Sequence, residues 1–309
     1  MEVLVPVTVE RASADPAGVD AVEVLRLAAL GRDRFQGRCH AGAPGRGFGG
    51  LVVAQGLTAA GLTVRAGQLP HSLHSYFLLP VDLEQPVAYE VDRVRDGRGY
   101  SARRVTARQA GAEVFTLTAS FKAPERTAAV LPERQREMPS GPEPEGRPNL
   151  LDAWRENAAA RRVCSSRPFE VLDLRHVPQA QVRAAGRPGD CRQQTWLRTP
   201  ALLPDDALLH AALLVYGSDL LFAPTAALHV EEPAVARSAA PQVFMTSLDH
   251  AVWFHRPFRA DEWLLFDQRS PSAADGRGFV RGELWSRDGT LVASVAQETV
   301  LRPLRPQDG

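Results

Sequence analysis

Two long apolar segments constrain the fold more than any other feature of the sequence. They are residues 51–64, LVVAQGLTAAGLTV, and residues 207–224, ALLHAALLVYGSDLLFAP. Both are apolar on nearly every side, whereas a helix on a protein surface keeps a polar face. We therefore predict two helices that are buried all round and that other elements must wrap. Asp205 or Asp206 is the expected N-cap of the second helix, and Pro224 is its expected end.

Each apolar segment is followed by four segments whose polarity alternates with a period of two, which is typical of β-strands. In the last strand of the first set, Phe115, Leu117, Ala119 and Phe121 share one face. The expected strands are residues 71–79, 87–94, 100–109 and 113–121, and then 242–256, 262–270, 277–287 and 291–302. Outside these sets the pattern predicts helices at 19–29 and 149–163 and strands at 169–177 and 191–199.

The order of elements repeats between the two halves of the chain. A buried helix, two strands, a DGRG turn, a strand, a turn and a last strand occur twice, with DGRGY at 96–100 and DGRGF at 275–279. One buried helix wrapped by a curved antiparallel sheet is the hotdog fold. We therefore predict an α+β tandem hotdog, with one unit at 1–122, a proline-rich linker and short helix at 123–165, and a second unit at 166–309.

Composition narrows the class of protein. The 309 residues are 44% hydrophobic and carry 36 basic and 36 acidic groups, which is typical of a globular protein and argues against a nucleic-acid partner. The three cysteines, Cys39, Cys164 and Cys191, form no metal-binding spacing and fit a reducing cytoplasm. No signal peptide is expected at the N-terminus, and no apolar stretch approaches the ~18 residues of a membrane span.

Polar residues are concentrated in the strand pattern at 242–258, QVFMTSLDHAVWFHRPF, which includes Ser247, Asp249 and His250. The helix before this segment contains a lone carboxylate, Asp219, and the last strand contains an amide, Gln297. From the residues alone, the aspartate could equally be a local cap and the glutamine could satisfy a backbone group. These residues are the candidates for a functional site.

The chain resembles the acyl-CoA thioesterase II family, the TesB-like double-hotdog thioesterases. The resemblance covers residues 48–302, with the linker poorly matched, and departs from the family at Leu51, where a glutamine is usual. The motifs are FGG-VVAQGL, HSLHSYFL, RDGRGYSARRV and TASFKAPE in the first half, and SDLLFAP, SLDHAVWFHRPF, EWLLFD and GRGFVRGELWSRDGTLVASVAQE in the second. The loop before the first buried helix, GRCHAGAPGRGFGG, is enlarged.

This resemblance implies hydrolysis of an acyl-CoA thioester to a carboxylic acid and CoA, without a metal or redox cofactor, in fatty-acid or lipid metabolism. It places a catalytic trio at Asp219, Ser247 and Gln297, with Thr246 as the alternative hydroxyl if the strand register shifts by one. The carboxylate would take the proton of a water molecule that the hydroxyl and the amide hold.

Further expectations concern the substrate and the assembly. Gly49 and Gly50 are candidate backbone donors to the oxyanion. His250 is a candidate substrate contact, and His255 with Arg256 would hold either a sheet edge or a phosphate of CoA. By analogy with the family, we expect a homodimer or homotetramer.

Two other functions stay open from the sequence. A hotdog dehydratase or hydratase would use a histidine with a carboxylate, built from His250 and Asp249 or from His74 and a partner. A non-catalytic acyl-CoA binding module would bind without turnover. An ordered structural pair of Asp249 and His250 is the simpler interpretation of those two residues.

Overall fold

The computed structural model describes residues 19–43, 45–125, 132–158, 161, 165–184, 190–233 and 241–304. The elements of the first half are α1 (Ala21–Val24), β1 (Ala28–Gly31), β2 (Arg34–Gly37), β3 (Ala41–Ala43), β4 (Arg46–Gly47), α2 (Gly49–Gly61), β5 (Leu69–Phe77), β6 (Val87–Asp96), β7 (Tyr100–Gln109) and β8 (Ala112–Lys122).

The elements of the second half begin with three short helices and two strands that precede its long helix. In chain order they are α3 (Leu150–Glu156), α4 (Arg167–Val171), β9 (Asp173–His176), α5 (Gln179–Ala184), β10 (Cys191–Arg198), α6 (Ala207–Ser218), α7 (Phe222–Thr225), β11 (Val243–Ser247), β12 (Asp249–Phe254), β13 (Leu264–Ala274), β14 (Arg277–Ser286) and β15 (Leu291–Pro303).

One antiparallel sheet of 13 strands runs through both halves. Its order is β1-β2-β6-β7-β8-β5-β12-β15-β14-β13-β10-β9, with β11 also paired to β15, and β3 and β4 form a separate hairpin. The halves join where β5 pairs with β12, with His74 opposite Ala251. This is the α+β tandem arrangement that the sequence predicts, with one long helix for each set of strands.

The two long helices are buried because nearly every side chain on them is apolar. In α2, Leu51, Val53 and Leu57 are at most 1% exposed, and α6 is equally enclosed. The two helices run antiparallel in contact, because Gly61 at the end of α2 lies against Leu208 at the start of α6. The N-terminus of α2 therefore meets the C-terminus of α6.

The strand predictions are mostly confirmed. β5 to β8 and β12 to β15 overlap the expected segments, and the four apolar side chains predicted to share a face of β8 are all buried. Asp206 is the N-cap of α6, since its carboxylate accepts from the N–H groups of Leu208 and Leu209. None of the helices in the described ranges is long and apolar enough to cross a bilayer.

Four predicted elements are wrong in extent or type. The helix at 19–29 is reduced to α1, and β1 follows it. The strand at 169–177 begins as the helix α4, because Pro168 in its first turn has a fixed helical φ and no N–H to donate. The helix predicted at 149–163 is interrupted at Asn157, the C-cap of α3, and Ala158 and Arg161 are helical again, while the rest of that range lies outside the described residues. The helix predicted to end at Pro224 is broken by Leu221, which has φ +60°.

The described part of the predicted linker packs against the sheet of the second half. Trp196 donates its indole N–H to the carbonyl of Pro142 at 2.8 Å, and Arg136 forms an ion pair with Glu283. Gln135 donates to the carbonyl of Gly289. Residues 132–149 are therefore held on β10, β14 and the turn before β15.

Candidate active site

Asp219 lies where the two halves of the chain meet. It is the C-cap of α6, and its buried carboxyl group accepts a hydrogen bond from the N–H of Gly50 in the first turn of α2. The N-cap of α2, Phe48, provides no side-chain acceptor, so a carboxylate from the other half takes that place. A helix N-terminus favours this negative charge.

Glycines make the close approach possible. A Cβ atom on Gly49 would lie 3.0 Å from Oδ2 of Asp219, and one on Gly50 would lie 2.7 Å from the carbonyl oxygen of Tyr216. Any larger residue at either position would push α2 away from α6 or displace the carboxylate. Gly49 and Gly50, the candidate oxyanion donors of the sequence, therefore lie against the C-terminal end of α6.

The environment of Asp219 changes its acidity. Burial raises the pKa of the carboxyl group, whereas the nearby imidazole of His250 and the N–H of Gly50 lower it. A carboxylate whose pKa lies above its ordinary value is a better proton acceptor than a free one. This electrostatic setting suits a general base.

Ser247 and Gln297 are in direct contact. The side-chain amide of Gln297 donates to Oγ of Ser247 at 2.9 Å and lies 3.3 Å from Oγ1 of Thr299. Gln297 is fully buried on β15, and Ser247 is partly exposed at the end of β11. The hydroxyl and amide that the sequence selects are therefore a hydrogen-bonded pair.

A β-bulge decides which hydroxyl faces Gln297. Ser247 lies opposite Thr299, whereas Ala251 lies opposite Ala296, so the strand that contains β11 and β12 has one residue more than β15 between these pairs. Thr246, on the other face, is exposed. The long strand predicted at 242–256 is interrupted here, and the bulge directs Ser247 to the inside.

Two further residues connect Asp219 with the Ser247–Gln297 pair. They are His250, which the sequence offers as a substrate contact, and Ser218, which the sequence does not single out. His250 contacts Oε1 of Gln297 at 2.7 Å with Nδ1 and Oγ of Ser218 at 2.8 Å with Nε2. Ser218 directly precedes Asp219 in the chain. His250 is fully buried, whereas a side chain that contacts substrate from an open surface would be partly exposed.

Buried amides fix the turn that follows Asp219. Gln193 donates to the carbonyl of Leu221 at 2.7 Å and to Oγ1 of Thr225 at 2.6 Å, and Thr225 donates to Oε1 of Gln268 at 2.6 Å. These bonds hold Leu221 in its left-handed conformation. In the sequence, these amides are two glutamines in separate strand patterns. Their shared role becomes visible only when β10 and β13 are seen to pair.

An apolar cavity of about 350 Å³ opens beside Asp219. The hairpin of β3 and β4, which the enlarged glycine-rich loop forms, supplies one wall, and β11 supplies another. The guanidinium of Arg46 lies 4.9 Å from the centre of the Phe244 ring across the cavity wall. Other lining residues are Phe48, Phe169, Leu220, Leu221 and Met245.

The other candidate residues make hydrogen bonds and ion pairs that hold the strands around the site. Asp249 accepts from the backbone N–H of Glu298 at 2.6 Å, and burial raises the pKa of its carboxyl group. His255 contacts Oγ of Ser294 at 2.8 Å, and Arg256 pairs with Glu133 of the linker.

His74 lies edge-on to Trp253, with ring centres 5.0 Å apart. The ring nitrogens of His250 contact Gln297 and Ser218, and the carboxylate of Asp249 accepts from β15, so this pair does not form the dyad of a dehydratase.

Comparison with protein families gives two matches that follow one another along the chain. Residues 40–122 match the model of an acyl-CoA thioesterase N-terminal domain, and residues 170–300 match the model of an acyl-CoA thioesterase. The first range includes α2 and β5 to β8, and the second includes α6 and β11 to β15 with the three site residues.

Individual relatives match over nearly the whole chain. Human acyl-coenzyme A thioesterase 8 is 35% identical over 95% of this chain and 93% of its own length. Acyl-CoA thioesterase 2 of Haemophilus influenzae is 34% identical over 82% of this chain and 87% of its own. The crystal structure of an acyl-CoA thioesterase II, TesB2, from Mycobacterium marinum has a TM-score of 0.75 and 36% identity, covering 92% of this chain and 99% of that one.

Proposed function

The chain belongs to the acyl-CoA thioesterase II family of thioester hydrolases, and from this premise we propose that water attacks the acyl-CoA directly, with Asp219, Ser247 and Gln297 as the site. The products are a free carboxylic acid and CoA. The observation that supports the site is the buried carboxyl group of Asp219 on the wall of an apolar cavity, linked by hydrogen-bonded neighbours to the Ser247–Gln297 pair.

Asp219 acts as the general base in this proposal. Its ionised carboxylate accepts a proton from water as the water oxygen bonds to the thioester carbonyl carbon. The resulting tetrahedral intermediate collapses with cleavage of the carbon–sulfur bond, and the proton on Asp219 passes to the CoA sulfur. The raised pKa that burial gives Asp219 supports the first transfer, because it makes the carboxylate a stronger base.

Ser247 and Gln297 position the water. Because Ser247 accepts the amide N–H of Gln297, its hydroxyl proton and a lone pair stay free for a water molecule. Neither group competes with Asp219 for the proton of that water. Holding the water at the carbonyl converts a random encounter into a fixed geometry.

The N-terminus of α2 supplies a donor for the oxyanion. Gly49 and Gly50, the two candidate donors, lie beside Asp219 at the positive end of a 13-residue helix, and since the N–H of Gly50 already bonds the carboxylate, we assign the oxyanion to the N–H of Gly49. We assign the apolar cavity to the acyl chain, since its lining offers hydrophobic contact next to the base.

We also propose a cytoplasmic location and a homodimer or homotetramer. The sparse cysteines support the location: Cys39 is a free, buried thiol, and burial raises its pKa to about 12. Light scattering of the purified protein measures the assembly, and a monomer at all concentrations would contradict that part of the proposal.

Thiol release from acyl-CoAs tests the site. A panel of increasing chain length is assayed with wild type, Asp219→Asn and, as a matched control, Asp249→Asn. We expect release by the wild type, a loss of about 10³-fold in kcat for Asp219→Asn and a much smaller loss for Asp249→Asn. Unchanged release by Asp219→Asn would reject the assignment, and loss only in Asp249→Asn would move the base to Asp249.

A further inference from the structure

A single hydrogen-bonded chain connects the end of α6 to Ser247. Ser218 donates to the carbonyl of Val215 at 2.9 Å, and its Oγ lies 2.8 Å from Nε2 of His250. Nδ1 of His250 lies 2.7 Å from Oε1 of Gln297, whose amide nitrogen donates to Ser247 at 2.9 Å. The mechanism above uses only the last pair.

The bonding pattern fixes the hydrogen on one ring nitrogen. Oε1 of Gln297 is a carbonyl oxygen and can only accept, so Nδ1 of His250 carries a proton and donates. Rotation of the Gln297 amide by half a turn would bring its NH2 group against that N–H. His250 therefore holds the amide with its N–H groups on the side of Ser247.

We propose that His250 is a positioning residue that orients the side-chain amide of Gln297 towards Ser247 and acts on the reaction only through that amide. This inference rests on the proposed function. It gives His250 a role different from the substrate contact expected from the sequence, because its ring is 0% exposed.

The packing around the ring holds it in one orientation. Phe222 lies edge-on to the imidazole, with centres 5.9 Å apart, and Ser75 on β5 donates to the backbone carbonyl of His250 at 2.9 Å. Ser218 bonds the second nitrogen. With the ring fixed from three sides, the hydrogen bond to Gln297 has a defined direction, which is what a positioning role requires.

Two variants of equal size separate the hydrogen bond from the packing. His250→Asn keeps an N–H donor near the position of Nδ1, His250→Leu has the same shape without a donor, and both lose the contact with Ser218. Each is made in the wild type and in Gln297→Ala, and kcat and KM for thiol release are measured on the acyl-CoA that the wild type hydrolyses best. Thermal unfolding verifies that each variant is folded.

We expect His250→Leu to lower kcat about 100-fold with KM changed less than about twofold, and His250→Asn to recover at least about tenfold of that loss. In the Gln297→Ala background the two substitutions should have equal kcat, because the amide they orient is gone. Equal losses for Asn and Leu in the wild type, or an Asn–Leu difference of about tenfold retained in Gln297→Ala, would overturn the positioning role. If Gln297→Ala alone left kcat unchanged, the proposed site itself would fall with it.

Discussion

The folded protein stabilises the negative charge of the Asp219 carboxylate only in part. Burial raises the pKa of its carboxyl group, and the imidazole of His250 and the N–H of Gly50 offset this only partly. The ionised carboxylate that we propose as the general base is therefore unfavourable in the folded state. Active sites commonly hold groups of this kind, because their chemistry needs a setting that folding alone would not select.

This conflict predicts opposite effects of Asp219→Asn on activity and stability. A folded pKa above the ordinary 3.8 means that the folded state binds more protons than the unfolded one, so stability falls as pH rises from 3.8 through the folded pKa. The asparagine side chain can still accept a hydrogen bond from Gly50 but carries no charge, so the variant does not lose this stability as the pH rises. We expect its Tm at pH 7 to exceed that of the wild type by a few degrees, roughly 2–4 °C per kcal/mol.

Calorimetry across pH measures this difference. The advantage of Asp219→Asn should shrink as the pH is lowered through the raised pKa of the wild-type carboxyl group towards 3.8. A constant Tm difference at every pH, or a less stable variant at pH 7, would contradict the burial argument.

The sequence selected Ser247 and Gln297 by resemblance, and the structure brings them together. It could not indicate Ser218 as a partner of His250, because the two residues are 32 positions apart and meet only once β12 lies against α6. Which face a strand residue takes depends on register, and one bulge at this strand decides between Thr246 and Ser247.

At the scale of elements, the turn between α6 and α7 positions the carboxylate of Asp219. The helical pattern continued to Pro224 in the sequence, but Leu221 breaks it with φ +60°, a conformation unfavourable for a branched side chain. Gln193 and Gln268 from neighbouring strands compensate by bonding the turn. Local propensity cannot reveal such a break, since the groups that stabilise it come from strands 28 and 48 residues away.

Removing the central hydroxyl of this turn tests its importance. Thr225→Val keeps the shape but removes the bonds to Gln193 and Gln268, and we expect a loss of about 1–3 kcal/mol in the free energy of unfolding. Because the turn follows Asp219 directly, kcat should also fall about tenfold.

Thr58→Val is the matched control for the turn. The hydroxyl of Thr58, on α2, donates to the carbonyl of Ala54 four residues before it, so the change should stay within about 0.5 kcal/mol. Urea unfolding and thiol release measure both variants. Equal effects of the two substitutions would show that the turn is not specifically held by its hydroxyl.

At the scale of the whole molecule, the two halves share an architecture but not a site. Leu62 caps α2 where Asp219 caps α6. Phe121, opposite Ser101, has the place in β8 that Gln297, opposite Val280, has in β15. The order of elements made this repeat visible in the sequence, whereas the inequivalence of the two sites depends on which residues pair across strands. The positions of Asp219 and Gln297 are thus taken by the apolar residues Leu62 and Phe121 in the first half.

Burial of histidines throughout this molecule makes its stability depend on acid. Burial lowers the pKa of several histidine side chains, namely His40, His71, His176, His210 and His255. The largest change with a definite value is at His176 on β9, where burial, with the charge of Arg147, lowers the pKa from 6.5 to about 4. In the unfolded chain this ring takes up a proton near pH 6.5, while in the folded protein it stays neutral.

The contribution of His176 to stability is therefore complete above pH 6.5 and is lost as the pH falls from 6.5 to 4. A difference of 2.5 pH units corresponds to about 3 kcal/mol. Between pH 7 and pH 4, we expect the free energy of unfolding to fall less in His176→Phe than in the wild type, by up to about 3 kcal/mol. This comparison does not depend on how the two proteins differ in stability at pH 7. Urea unfolding at a series of pH values measures the slope, with His229→Phe, at an exposed position, as the control. If the control flattened the slope as much as His176→Phe, the acid sensitivity would come from the general charge of the molecule and not from the buried ring.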